Sequence, residues 1–580
     1  MGKFSPNIIA NYLGALARYN PAGDAILCGS VRQSYGGLAE RVFRLAQALI
    51  RLGVKKDDKV TFMLHNLPEF IEINYAIQVA GAIPAPMNYR FTPREIEYQA
   101  GHSDAKVFFY HERYAREVEE AAPALSGIKT FVRLGAGKMP ALEYEELVRS
   151  GENRDPRVPT SWDDVAVMIY TGGTTGFPKG VMLTYGAHLD MFTTMLATVF
   201  SRAATSLTTE QLKRVSDTMP VPGANRIAGV FANPTVRRLM AKPGTIRVLR
   251  HAIGFLLSRP QLARVGYKKP IRYMTPSMPF FHDASYQILI LAMMTGNITF
   301  VLTPDVKFDT AAILKAVQDL KPAFMANVPT GWKKLVSEPR FAEFDVSSLR
   351  VCATGAGACP VALKKKIFER FPGAIIMDMF GQTEMTPITS FRIDADPSTL
   401  KERSVGKSIF PVRIVDESGK EVPQGQIGEI LYLSNTVMKG YYKDEGKTAE
   451  TMTDGWFRSG DLGYIDAEGE VRLVDRKNEC INTGGEKVFP LEVEEVIHLL
   501  PKVEEVCIIG VPDEEWGSTV RAVVQLQPGE RLTAEEIVAF CRDQLAGFKI
   551  PRSVLFVDEL PLSAAGKVLR AKIREQYGQK

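Results

Sequence analysis

Residues 170–180 read Tyr-Thr-Gly-Gly-Thr-Thr-Gly-Phe-Pro-Lys-Gly, with four glycines, three threonines and one lysine in eleven positions. Glycine lets backbone N–H groups come close to an anion, threonine hydroxyls add donors, and Lys179 adds charge. A strand-like run, 164–170, feeds this loop, and an apolar run, 181–183, leaves it. The pattern is that of a phosphate cradle, with a solvated linker as the plain alternative. It is not the common P-loop, which closes on Gly-Lys-Ser/Thr, because Pro178 precedes Lys179 and Gly180 follows it.

Three other residues have side chains capable of chemistry. Glu384 ends a Gly-x-Thr-Glu turn. Lys567 follows Gly566 in a loop near the C-terminus. His282 has no second histidine or cysteine at ligand spacing and is not read as a metal ligand. Taken singly, Glu384 and Lys567 would be a turn acid and a solvated lysine.

Stepping outward, 580 residues exceed one typical domain. Apolar content of 45% and charged content of 24% are those of a globular protein, and a net charge of +5 gives no reason to expect nucleic acid. The six cysteines have no metal or redox spacing and read as reduced thiols of a cytoplasmic protein. No signal peptide is expected, and the apolar run 288–302 is too short to cross a bilayer.

Helical and strand patterns alternate over residues 1–160, with helices at 38–52 and 69–80 and strands at 59–64, 81–86 and 105–110. That rhythm predicts parallel βαβ units in an α/β fold. It resumes after 273 and becomes strand-rich from about 411, where 428–433 and 469–474 alternate like antiparallel strands. The charged residues 475–478 break the pattern, and a small α+β unit follows. Its Thr533-x-x-Glu536 sequence is a helix cap. The expected organisation is a large N-terminal domain, 1–474, of layered α/β subdomains plus a strand-rich subdomain, and a small mobile domain, 475–580.

Residues 200–272 differ from their surroundings, with fourteen Lys or Arg against two acids. Within them, Ile246, Leu249, Ile253 and Leu256 fall on one helical face, with Arg247 and Arg250 off it. The favoured reading is a surface insertion whose apolar face packs on the domain. The alternative is a basic amphipathic helix making peripheral contact with anionic lipid, or a patch for a polyanionic ligand.

The loop from Thr171 to Gly180 resembles the signature of the adenylate-forming superfamily, and further motifs of that superfamily follow in order. They are Pro279-Phe280-Phe281-His282, Thr354-Gly355-Ala356-Gly357-Ala358, Phe380-Gly381-Gln382-Thr383-Glu384, Trp456-Phe457-Arg458-Ser459-Gly460-Asp461, Asp475-Arg476-Lys477 and Pro561-Leu562-Ser563-Ala564-Ala565-Gly566-Lys567. The resemblance covers nearly the whole chain except 200–272 and points to the acyl-CoA synthetase branch. It implies two steps. A carboxylate attacks the α-phosphate of ATP to give acyl-AMP and pyrophosphate, and the thiol of coenzyme A then displaces AMP.

In that scheme Thr171, Gly172, Gly173, Thr174, Thr175, Gly176 and Lys179 hold the β- and γ-phosphates, and Glu384 holds Mg²⁺. Thr383 bonds the α-phosphate. Gly355, Ala356, Gly357, Asp378, Met379, Phe380 and Gly381 line the adenine site, with phenylalanine where the family usually has tyrosine. Asp461 takes the ribose hydroxyls and Arg476 the ribose or phosphate. Lys567 bridges carboxylate and α-phosphate in the first step. Asp475 is the hinge, within 475–477, about which the small domain rotates. That rotation brings Gly484, Gly485 and Glu486 to line the pantetheine channel. His282 gates or lines the acyl site, with Val328, Pro329, Thr330, Gly355, Ala356, Met379 and Met385 around it. These positions hold no lysine or arginine, which favours a medium- or long-chain fatty acid. An aromatic or alicyclic acid and a carrier-protein pantetheine as acceptor are alternatives. Acetate is disfavoured, because the double tryptophan typical of acetyl-CoA synthetases is replaced by Met379-Phe380. The sequence does not choose between monomer and dimer.

Overall fold

The structure is a computed structural model and describes every residue except 1–4, 172–177, 217–229, 231–232, 262–269, 297, 306, 358, 485, 564–566 and 580. The chain forms two compact units, Met1–Glu402 with Ser434–Glu450, and Arg403–Leu433 with Thr451–Lys580. Compactness thus joins the strand-rich segment to the C-terminal part.

The first unit is layered α/β, as the alternation of helical and strand periods predicts. One parallel sheet runs Ile83–Pro86, Lys59–Met63, Ala105–His111, Thr130–Leu134 and Leu142–Glu143. A second has six parallel strands at its centre, in the order Ile375–Gly381, Val351–Thr354, Phe324–Asn327, Ile271–Met274, Ile298–Leu302 and Asp24–Cys28. Its strands are short and apolar because helices cover both faces, and Ile298–Leu302 is buried at every position. Beneath it Trp332, Phe341 and Phe371 stack edge to face, with ring centroids 5.8 and 5.3 Å apart. The run 288–302 divides as expected into the helix Asp283–Thr295 and a strand, parted by Gly296 in the left-handed conformation (φ 61°).

A third sheet is small and antiparallel. Val165–Thr171 pairs with Lys179–Thr184, and Gly440–Tyr441 joins from the far end of the unit. It sets Thr171 opposite Lys179 and Tyr441 opposite Val181.

In the second unit Trp456–Ile465 alternates between buried and half-exposed residues. Gly428–Tyr432, expected to alternate, is buried throughout because it lies between Val412–Val415 and Trp456–Ile465. The C-terminal part holds a three-stranded sheet, Val503–Asp513, Gly517–Leu526 and Ser553–Val557. Helix Ala534–Arg542 starts at the expected capping box of Thr533 and Glu536. The pattern break expected at 475 is not a strand end. Val471–Arg476 runs on through it, because Asp475 and Arg476 both find local polar partners.

The insertion contributes helices Pro234–Met240 and Pro243–Leu257, which pack on Tyr185–Ser206. Ser201 Oγ donates to the Met240 carbonyl at 2.6 Å, and a Cβ on Gly254 would stand 3.3 Å from Thr193. Ile253 and Leu257 are buried, Ile246 and Leu249 half-buried, but Leu256 is 43% exposed. The expected apolar face therefore packs on the domain without Leu256. Among the described residues no helix is long and apolar enough to cross a membrane.

Candidate active site

In the first unit the ends of the phosphate loop are fixed by strand pairing and by aromatic hydroxyls. Tyr98 donates to the Pro178 carbonyl at 3.1 Å, and the Tyr170 hydroxyl meets His102 Nδ1 at 2.8 Å. Gly172, Gly173, Thr174, Thr175 and Gly176 lie outside the described residues. Lys179 places its ammonium 5.2 Å from the centre of the Tyr441 ring, and Tyr441 donates to Glu384 Oε1 at 2.8 Å. A cation, an aromatic ring and a carboxylate are thus joined across more than two hundred residues of chain. Tyr441 had no place in the sequence reading, and Lys439-Gly440-Tyr441-Tyr442 carries no spacing that would have singled it out.

Thr383 and Glu384 stand on a single 3₁₀ turn, Thr383–Met385, that leads into Thr386 with φ 60°. Segment 434–438 clamps it. The Met438 N–H donates to the Glu384 carbonyl at 2.8 Å, and Thr386 and Thr436 each donate to a carbonyl of the other strand of the clamp, at 2.6 and 3.1 Å. Asp283 beside this turn is fully buried, and burial first, then the charge of Glu384, push its carboxyl well above the usual range. Among the described residues no three His, Cys, Asp or Glu gather into a metal cage. One hard carboxylate on a rigid turn fits Mg²⁺, which keeps waters and takes most of its other ligands from phosphates.

The small-residue motif is needed for close approach of backbones. A Cβ on Gly355 would stand 2.9 Å from the Met379 carbonyl, and one on Gly381 only 1.6 Å from that of Pro387. Ala356 holds φ 64°, and Gly357 has ordinary room. Phe380 is half-buried. Asp378 is instead locked to Lys364, a buried lysine the sequence reading did not single out, at 2.5 Å. Burial raises the Asp378 carboxyl and the Lys364 charge pulls it back.

His282 caps helix Asp283–Thr295, its Nδ1 accepting the Ala284 N–H at 3.3 Å. The next residues of that helix, Ala284, Gln287 and Ile288, open into an apolar cavity of about 120 Å³. Helix Tyr185–Ser206 forms its opposite wall with Phe192, Met195, Leu196, Val199 and Ala203, and the sheet closes it with alternate residues Ile375, Met377 and Met379. Of the expected acyl residues, Met379 lines this cavity. His282, the N-cap of that helix, is not among its lining residues, nor are Val328, Pro329, Thr330, Gly355, Ala356 and Met385.

In the second unit three expected residues come together. Asp461 and Arg476 face each other across a strand pair, with Nε to Oδ1 at 2.8 Å. Lys567 stands on a loop closed by Ser563, whose Oγ accepts the Lys567 N–H at 3.0 Å. Its side chain is exposed, yet surrounding protein desolvates the ammonium. With repulsion from Arg476, and against attraction from Asp461, this lowers it to about 8. Asp475 is buried, and burial raises it to about 6, while it accepts the Leu491 N–H at 2.9 Å and the Arg476 N–H at 2.7 Å. Gly484 has φ 59°, and its missing Cβ would lie 2.5 Å from the Trp516 ring. Glu486 is exposed and pairs with Thr483, and Gly485 lies outside the described residues.

The AMP-binding enzyme family matches over residues 15–216 and 260–442, and the AMP-binding enzyme C-terminal domain over 492–567. The match passes over 217–259, the heart of the basic insertion. A feruloyl-CoA synthase of Amycolatopsis sp is 30% identical over 97% of both chains. A medium/long-chain-fatty-acid–CoA/3-oxocholest-4-en-26-oate–CoA ligase of Mycolicibacterium smegmatis is 30% identical, over 94% of this chain and 91% of its own. Among solved structures, anthranilate CoA ligase AuaEII in complex with anthranoyl-AMP superposes with a TM-score of 0.79 at 23% identity, over 99% of this chain and 98% of its own. The chain belongs to the AMP-binding enzyme family. Within it the chain stands in the acyl-CoA synthetase branch, as an AMP-forming acid–thiol ligase for which ATP, Mg²⁺ and coenzyme A are the co-reactants.

Proposed function

We propose that this enzyme joins a medium- or long-chain fatty acid to coenzyme A through an acyl-adenylate. The apolar cavity lined by Met379 carries this reading. Its helical wall runs from Phe192 to Leu207, fifteen residue steps or roughly 22 Å, around only about 120 Å³. A long wall around a small volume is a tube, and a tube suits an unbranched apolar chain. A compact aromatic or alicyclic acid is the second reading, favoured by the feruloyl-CoA synthase relative.

Lys179 and the 171–176 loop would hold the leaving pyrophosphate, with the Tyr441 ring keeping the lysine over the loop. Mg²⁺, held by Glu384, would supply the charge that offsets the phosphate oxygens. Thr383 would donate to the α-phosphate, Phe380 would stack on adenine, and Asp461 would accept from the ribose hydroxyls. Lys567, cationic below about pH 8, would bind the acid's carboxylate and the α-phosphate together as charge builds on phosphorus. Rotation of the small domain about 475–477 would replace Lys567 by the Gly484–Glu486 hairpin for the thiol step. A hinge at 475 would loosen the Leu491 bond to Asp475. The six free cysteines, four of them buried, support a cytoplasmic location. The basic insertion would add a peripheral membrane contact.

The test is ATP–pyrophosphate exchange across acids from acetate to palmitate plus benzoate, followed by addition of coenzyme A. Exchange peaking with a long linear acid, then CoA-dependent AMP release, supports the proposal. A peak at benzoate moves it to the second reading. Exchange without a CoA step makes a carrier-protein pantetheine the acceptor.

A further inference from the structure

We propose that the outward face of helix Pro243–Leu257 seats the enzyme on an anionic lipid bilayer, which rests on the peripheral membrane contact proposed above and identifies its surface. This helix is apolar on two sides. Inward, Ile253 and Leu257 are buried against the domain. Outward, Val248 (68%), Phe255 (53%) and Leu256 (43%) stand exposed one turn or two apart, and Leu239 of the preceding helix (52%) adds to the patch. Such a concentration of large exposed apolar side chains on one short segment marks an interaction surface rather than chance exposure.

Charge selects the occupant. From 230 to 261 the chain has six Lys or Arg and no acid. Arg238, Lys242, Arg247 and Arg259 are exposed around the patch, and the Arg259 guanidinium lies 4.0 Å from the centre of the Phe255 ring. Apolar side chains ringed by cations match the headgroup and acyl layers of an anionic membrane. A bare anion would not use the apolar residues, and a second copy of this patch would bring like charges together.

The helix is anchored from behind, so its outward face is held. Arg250 pairs with Asp190 at 3.4 Å, Gln261 donates to Asn11 at 3.2 Å, and Tyr12 donates to the Leu257 carbonyl. It packs on helix Tyr185–Ser206, whose other side is the wall of the apolar cavity. Two helix thicknesses, this helix and Tyr185–Ser206, therefore separate the patch from that cavity. The family match leaves this helix out, so the patch is an addition to the shared catalytic frame.

Flotation of the full chain with vesicles tests this. The protein should float with vesicles of equal parts phosphatidylglycerol and phosphatidylcholine, and remain below with phosphatidylcholine alone. Val248→Glu with Phe255→Glu should lower bound protein more than tenfold. Arg247→Glu should lower it by at least about fivefold, the equivalent of about one basic contact. Both variants should retain wild-type exchange activity on a water-soluble short acid, which reports folding. No flotation of wild-type protein, equal flotation with both vesicles, or unchanged flotation of the double variant would overturn the proposal. Loss of a dimer in the double variant without vesicle binding would give the patch to a second copy and also overturn it. Exchange activity is read separately from flotation, so failure of the ligase reading is distinguishable from failure of this one.

Discussion

Each compact unit holds one of the two lysines proposed to act on ATP, and the two are held in opposite ways. Lys179 belongs to a strand, paired with Thr171, and its ammonium lies over the Tyr441 ring. Lys567 belongs to a short loop closed by Ser563, where desolvation by the surrounding protein, and then repulsion from Arg476, lowers its ammonium to about 8. A strand-bound lysine under an aromatic ring suits a fixed task, such as holding phosphates through both half-reactions. A lysine on a small exposed loop suits a task performed once and withdrawn.

The sharpest way to break this contrast is Lys567→Ala. Pyrophosphate exchange should fall by about 10²- to 10³-fold, as when one preorganised transition-state donor is lost. Thioester formation from supplied acyl-adenylate should hold within about threefold, because the lysine has left by then. Equal loss in both assays would give the two lysines the same role. Lys179→Met should cost less, about 10- to 100-fold in kcat/KM for ATP, mostly through KM, since it removes binding shared by ground and transition states. A fall confined to kcat would place Lys179 with the transient lysine instead.

The pH profile sharpens the difference further. The group required is the ammonium, so adenylation should be full below pH 8 and decline about tenfold per unit above it. Lys567→Arg, whose guanidinium does not titrate there, should have lower activity and a flat profile over the same range. A decline that persists in this variant would belong to another group. The smallest effect is expected of Tyr441→Phe. It keeps the ring over Lys179 and removes the bond to Glu384, costing about 0.5–1.5 kcal/mol, or roughly two- to thirteenfold in KM for MgATP.

What the sequence made legible was local. Repeats of apolar period placed the helices and strands within a few residues, and Thr533 with Glu536 marked a helix start that is present. Lys179 stood out because glycine and hydroxyl residues cluster around it, whereas Thr383 and Glu384 were singled out only by the family motif that contains them. Tyr441 was not, because its role arises only when strands 260 residues apart pair. The Lys364–Asp378 pair was hidden for a similar reason, since a lysine within Lys364-Lys365-Lys366 reads as solvated. The insertion helix was half legible. Its basic charge and one apolar face were plain, whereas the second apolar face required knowing which side the domain had already taken.

The contact between Gly484 and Trp516 has a use outside catalysis. The indole lies where a side chain at 484 would be, and it is 37% open to solvent. Of the four tryptophans, Trp332 is sealed in the core and gives a steady signal. Trp516 looks out beside the hairpin, so whatever displaces water there changes the polarity around its ring. The chain thus carries a native optical gauge, and its emission can time events at that hairpin without any dye attached.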